Sequence, residues 1–254
     1  PRLGDVSEGR ILQAILTRTP AASHALIGPG DDAAVVAAPS GSVVATTDTL
    51  VHGPDFRLAW SSGYDLGWKA AAVNLADVAA MGARPTALLV ALAVPRDLRL
   101  SFVERLADGF RDACAALAPG CAVVGGDLTV SDVLTVAVTA LGDMEGRVPV
   151  TRGGARPGDV VAVAGELGHA AYGLAVLFGR FRDGDVPVAV DASKLAAGES
   201  AALSAQLRPA PPIALGEPGC FRPKRLHLAG DEVESAVSAT ADAAVVREPD
   251  AGAE

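Results

Sequence analysis

Residues Tyr64–Met81, YDLGWKAAAVNLADVAAM, lead through Met81-Gly-Ala-Arg-Pro85 into Thr86–Val94, TALLVALAV. Leu66, Ala70, Val73, Asp77 and Ala80 recur at steps of three and four, which predicts a helix with one face for burial. Ser61 or Ser62 precedes it as a cap, and a glycine followed by a proline closes it. Thr86–Val94 lacks alternation, which predicts a strand buried on both faces. Asp77 falls on the face otherwise meant for burial, three residues after Asn74. A buried lone carboxylate is costly unless it is paired or metal-bound. The alternative is a side chain turned to water at the helix edge.

Toward the amino terminus, Ser7–Arg18 carries the stripe Ile11, Leu12, Ile15, Leu16 and predicts a helix ended by Pro20. Ile27–Val35, IGPGDDAAV, then delivers Asp31 and Asp32 from two glycines and a proline. Such residues make ordinary solvated turns, but adjacent carboxylates also suit a hard cation. Val35–Ala37 and Ser42–Thr46 read as short strands. Thr46-Thr-Asp-Thr49 comes directly after the second, at the strand end, with Thr46 and Asp48 on one side and Thr47 and Thr49 on the other.

Toward the carboxy terminus, Ser101–Leu117 predicts a second helix, with Phe102, Leu106, Phe110 and Ala113 as its stripe. Cys121–Val124 predicts a short strand ending in Gly125-Gly-Asp127-Leu-Thr129, and Val133–Leu141 another strand. Helices and strands in this order imply an α+β fold, with an amino-terminal sheet covered by helices. Met144–Gly158, rich in Gly, Arg and Pro, marks a boundary between domains 1–145 and 146–254. Beyond it, Asp159–Ala164 predicts a strand, Ala170–Phe178 and Leu195–Leu207 helices, and Val233–Val246 a further helix.

The 254 residues give a net charge of −9, which argues against broad nucleic-acid binding. Cys114, Cys121 and Cys220 show no metal-ligand spacing and fit a reducing compartment. No apolar run reaches membrane-spanning length and no signal peptide is visible. A soluble cytoplasmic protein is the expectation.

Asp31/Asp32, Asp48, Asp77 and Asp127 form an acidic set with few histidines, which points to Mg²⁺ rather than zinc. Glycine-rich loops joined to such carboxylates are how phosphates are held for transfer. Arg152 and Arg156 lie in a loop suited to phosphate oxygens, or to solvent. Neither a Walker sequence nor a kinase His-Arg-Asp loop occurs.

Five segments together resemble the thiamine-monophosphate kinases: Ile27–Val35, Thr46–Val51 (TTDTLV), Lys69–Ala83 (KAAAVNLADVAAMGA), Val124–Thr129 (VGGDLT) and Thr151–Asp159 (TRGGARPGD). The resemblance runs over residues 3–216, through Leu207–Gly216 (LRPAPPIALG). It implies ATP-dependent phosphorylation of thiamine monophosphate to thiamine diphosphate by Mg²⁺-assisted in-line transfer. It implies a homodimer paired through the amino-terminal domain. By the same resemblance, Asp32, Thr46, Thr47, Asp48, Asp77 and Asp127 are metal-linked, and Gly125, Gly126 and Arg152 contact ATP. No general base is implied, because the acceptor phosphate already offers an anionic oxygen.

Two departures stand out. The family's substrate-contacting His corresponds to Asp55 in Val51-His-Gly-Pro-Asp-Phe56, with His52 three residues earlier, so Asp55 or His52 is the substrate candidate. The family's Asp-x-Ser-Asp-Gly-Leu motif is absent, and residues from about 217 read as a divergent or frame-shifted tail on an incomplete α+β second domain. The alternative expectation is therefore a catalytically impaired dimeric Mg-nucleotide-binding protein.

Overall fold

The computed structural model describes residues 1–29, 33–151, 160–163, 167–213 and 243–246. Among them are helices α1 (Glu8–Leu16), α2 (Gly63–Ala80), α3 (Leu100–Leu117), α4 (His169–Arg180) and α5 (Glu199–Leu207). The strands are β1 (Ala25–Ile27), β2 (Val35–Val36), β3 (Val43–Val51), β4 (Arg84–Val94), β5 (Ala122–Val130), β6 (Thr135–Asp143), β7 (Val160–Val163), β8 (Arg182–Asp183), β9 (Val186–Pro187) and β10 (Ala243–Val246).

A four-stranded sheet in the order β3-β6-β4-β5 is the base of the fold. β6 pairs antiparallel with both β3 and β4, and β4 pairs parallel with β5. The parallel pair needs a crossover, which α3 supplies. Leu88, Leu92, Val136, Val138 and Ala140 point from the sheet into one core with Leu66, Leu75 and Val78 of α2 and Val103, Leu106 and Phe110 of α3. On the opposite face, the β1–β2 region covers one end through Ala22, Ala25 and Val36 against Ala87, Ala122 and Val124.

α2 and α3 approach closely because glycines line their contact. A Cβ at Gly67 would lie 2.1 Å from the Leu106 carbonyl oxygen, and one at Gly109 2.2 Å from that of Tyr64. Ser62 caps α2 by accepting the Asp65 N–H, and the Asp65 carboxylate accepts the Ser62 N–H in return.

α4 and α5 form a second helical layer that docks through tryptophan. Trp60 packs with Val176, Leu177, Phe181 and Leu203 and donates its indole N–H to the Phe181 carbonyl at 3.1 Å. Trp68 donates to the Pro209 carbonyl at 2.7 Å, Arg208 pairs with Asp65 at 3.4 Å, and Ile213 enters the main core. The Leu-Arg-Pro segment thereby fastens the second layer to α2. No helix among the described residues is long and apolar enough to cross a membrane.

Two expectations are corrected and one open reading is decided. Thr46–Thr49 and Gly125–Thr129 lie inside β3 and β5 rather than beyond them, because ladder pairing continues through both. Ala243–Val246, expected in a helix, is a strand paired antiparallel with β7. Asp77 lies at the exposed edge of α2, since the buried stripe runs through Leu66, Ala70, Ala71, Asn74, Leu75 and Val78.

Candidate functional site

The edge strand β3 and helix α2 bring three of the expected residues together. Alternation along β3 puts Thr46 and Asp48 on the helix-covered face, half-buried, and Thr47 and Thr49 on the other face, exposed. The Thr46 hydroxyl donates to Asp77 Oδ2 at 3.4 Å. Burial pushes the Asp48 carboxyl above its ordinary value, and the neighbouring Asp77 charge pushes it the same way. A half-buried carboxyl raised by a neighbouring carboxylate is short of positive charge. A hard cation relieves this, and two carboxylates with a hydroxyl are the oxygen donors that Mg²⁺ takes when phosphates and water complete its shell. The residues present therefore fit such an ion.

Asp127 does not join them within one chain. Its partner row across the sheet is Ala91, Ala137 and Thr49, whereas Asp48 is in row with Val138, Val90 and Gly126. Asp127 is thus on the open face of β5, at the far edge of the sheet. Three strand spacings of about 4.8 Å separate those edges, roughly 14 Å. Among the described residues, no three His, Cys, Asp or Glu side chains are grouped to hold a metal ion. Thr47 also lies on the open face, where its hydroxyl donates to the Val138 carbonyl at 2.9 Å and accepts from Thr139 at 3.3 Å.

Gly125 and Gly126 sit where β5 passes a bulge beside β4. A Cβ at Gly126 would come within 1.9 Å of the Val90 carbonyl oxygen. Glycine there is needed by the parallel pairing itself, whatever ligand the strand also meets. Asp31, Asp32 and Arg152 lie outside the described residues.

At the end of β3, Asp55 Oδ2 accepts the Val51 N–H at 2.8 Å and fixes the turn, while the His52 ring tilts against Phe56 at 5.6 Å. Lys69 of α2 borders this turn. Burial pushes its ammonium below the ordinary value, partly offset by the Asp55 charge. Sequence reasoning gave Lys69 no role, because a lone lysine in an alanine-rich helix reads as solubilising.

Residues 30–144 match the family model described as AIR synthase related protein, N-terminal domain. A thiamine-monophosphate kinase of Mycobacterium tuberculosis is 42% identical over 176 residues, which are 69% of this chain and 52% of that protein. One from Bacillus subtilis is 37% identical over 68% of this chain and 53% of its own length. Among solved structures, AaThiL complexed with AMPPCP and TMP superposes with a TM-score of 0.61 at 31% identity, covering 85% of this chain and 63% of that one. The chain spans about half the length of the curated relatives it matches.

Proposed function

We propose, from the premise that this chain is a homologue of the thiamine-monophosphate kinases built on the AIR synthase related amino-terminal domain, that it serves ATP-dependent phosphorylation of thiamine monophosphate to thiamine diphosphate. The observation that carries this reading is the meeting of Thr46, Asp48 and Asp77 between an edge strand and a helix. Bound there, Mg²⁺ would neutralise phosphate oxygens and so let two polyanions approach. Asp48 and Asp77 would hold the ion, with Thr46 orienting Asp77. Asp32 and Asp127 would complete the acidic set, and Gly125, Gly126 and Arg152 would meet ATP. The acceptor monoester supplies its own anionic oxygen, so no side chain is needed as a base.

Residues 1–145 would form the Mg-ATP and dimerisation domain, and 146–254 a partial second domain. The open face of the sheet, with the small side chains Thr49, Ala91, Ala137 and Thr129 around Asp127, is the surface we assign to a second copy. The buried thiols Cys114 and Cys121 and the use of ATP suit the cytoplasm. A second reading, a dimer that binds Mg-nucleotide without turnover, is favoured by residues 217–254, which carry no Asp-x-Ser-Asp-Gly-Leu.

A coupled assay for ADP with thiamine monophosphate, beside calorimetric Mg-ATP titration, separates the two readings. Turnover supports the kinase and removes the second reading; tight binding without turnover does the reverse. Asp77→Asn should weaken Mg-dependent nucleotide binding at least tenfold, and parent-like binding by that variant would refute the metal assignment. Sedimentation of the chain as a monomer would refute the dimer.

A further inference from the structure

Lys69, Val73 and Asp77 follow one another at steps of four along α2, so all three share one stripe. With a rise of about 1.5 Å per residue, Lys69 stands about 12 Å along the helix from Asp77. Asp77 meets Thr46 within β3, while Lys69 feels Asp55 beyond the end of that strand. α2 therefore runs back along β3. The seam between them has a carboxylate pair at one end and an ammonium at the other.

The ammonium is poorly satisfied. Lys69 is half-buried, yet among the described residues it has no ion pair or hydrogen bond. Among the described residues the charge it feels is that of Asp55, which has an oxygen turned to the Val51 N–H. Desolvating a cation without a partner is costly, and a site that keeps one is poised for an anion. The residue type sharpens the point. Lysines occur only at 69, 194 and 224 in a chain with 21 basic residues, so arginine is the default cation. A compact ammonium fits a confined place that a guanidinium, with its rigid five-donor fork, would crowd.

We propose that Lys69 is a substrate-binding residue whose ammonium takes a phosphate oxygen of the acceptor monoester, at the turn formed by residues 51–56 and opposite Asp48 and Asp77. The identity of the monoester rests on the kinase reading above; the oxyanion site does not. Lys69 also offsets Asp55, whose carboxylate would otherwise repel a phosphate at this turn. A thiazolium-bearing phosphate would find both charges matched, its oxygen to Lys69 and its cation to Asp55.

The test uses the full chain, with Lys69→Met and Lys69→Arg, in calorimetric titrations of thiamine monophosphate and of an Mg-bound ATP analogue. Reductive ¹³C-methylation, which keeps lysine charged, gives few lysine signals, and that of Lys69 is identified by its loss in Lys69→Arg. Lys69→Met should weaken thiamine monophosphate binding about tenfold to a hundredfold, as loss of a charge-assisted hydrogen bond implies. Nucleotide binding should change less than about twofold, and Lys69→Arg should recover part of the loss. In the parent, inorganic phosphate should shift the Lys69 signal. Unchanged monoester binding by Lys69→Met, or a Lys69 signal indifferent to inorganic phosphate, overturns the proposal. If the signal moves with phosphate but the parent ignores thiamine monophosphate, the oxyanion site stands and the kinase reading falls. Should Lys69→Met fail to fold, the parent's signal decides.

Discussion

Among the described residues, two helix pairs are held by the same device, and only the first is backed by a broad sheet. α2 and α3 touch through Gly63, Gly67 and Gly109, and α4 and α5 through Gly173, whose Cβ would lie 2.1 Å from the Ala202 carbonyl oxygen. Behind α2 and α3 stand four strands, and the large side chains between are buried. On α4, by contrast, Tyr172, Leu174 and Phe178 are exposed. The second pair holds its shape through polar ties instead: Glu199, 2% exposed, accepts from Arg180, Tyr172 and the Ala196 N–H. Close helix contact thus supplies local shape, whereas a covered apolar face needs a second layer.

The largest break in this comparison comes from the glycines. Helix propensity alone favours alanine over glycine by about 1 kcal/mol. Against that, a Cβ pressed on backbone at 2.1 Å must push two helices apart, and overpacking costs about 1–3 kcal/mol or more. Gly67→Ala should therefore destabilise the amino-terminal layer by about 3 kcal/mol in urea unfolding. Gly173→Ala should loosen α4 from α5 by about 2 kcal/mol, seen in Trp60 fluorescence while the sheet's circular dichroism persists. Gly179→Ala, with nothing within 4 Å of its Cβ, should be neutral or slightly stabilising. Equal effects at all three positions would remove close approach as the cause.

A smaller effect tests the polar ties. Arg180→Met leaves the Glu199 carboxylate buried without its cation, a loss of about 3 kcal/mol at most, discounted because Arg180 is 45% exposed. Adding Glu199→Gln to Arg180→Met should recover much of it, since a neutral amide can still accept from Ala196. The check is a double-mutant cycle in urea; additivity of the two changes would show that the pair does not couple.

How much of this was legible beforehand depends on which signal each residue leaves. The period of α1, α2 and α3 and the apolar run of β4 were plain, because burial on one face or two writes itself into spacing. Alternation also separated Thr46 and Asp48 from Thr47 and Thr49 correctly. β3 and β5 were read too short because their open-face residues, Thr47, Thr49, Gly125 and Asp127, are polar or small and look like turn chemistry. The separation of Asp127 from Asp48 was illegible, since strand order in the sheet is a long-range property that no local pattern carries. Asp77 stayed open between the buried face and the helix edge, because the small and apolar residues along α2 leave its stripe poorly bounded. Gly126 was read for ATP, although the Val90 carbonyl already forbids any side chain there.

The smallest effect bears on the acidic end of the α2–β3 seam. In the metal-free chain, Asp48 is raised above its ordinary value, first by burial and then by Asp77. A carboxyl raised in the folded state binds its proton more tightly there than when unfolded. It therefore costs stability once pH is above the folded value, and the cost fades as pH falls through it. Asp48→Asn removes that cost and should stabilise the metal-free chain at neutral pH by less than about 1 kcal/mol, small because solvent screens a half-exposed pair. The gain should vanish when the comparison is repeated in acid, below the usual carboxylate range. Mg²⁺ should reverse the order, raising the parent's melting temperature but not the variant's, because binding to the folded state alone is what stabilises. A variant that gains nothing at neutral pH would show that the Asp48 charge carries no such cost, and one that responds to Mg²⁺ as the parent does would show that Asp48 and Asp77 share no ion. The amino-terminal layer would then be a scaffold without the cation that its edge strand and helix are arranged to hold.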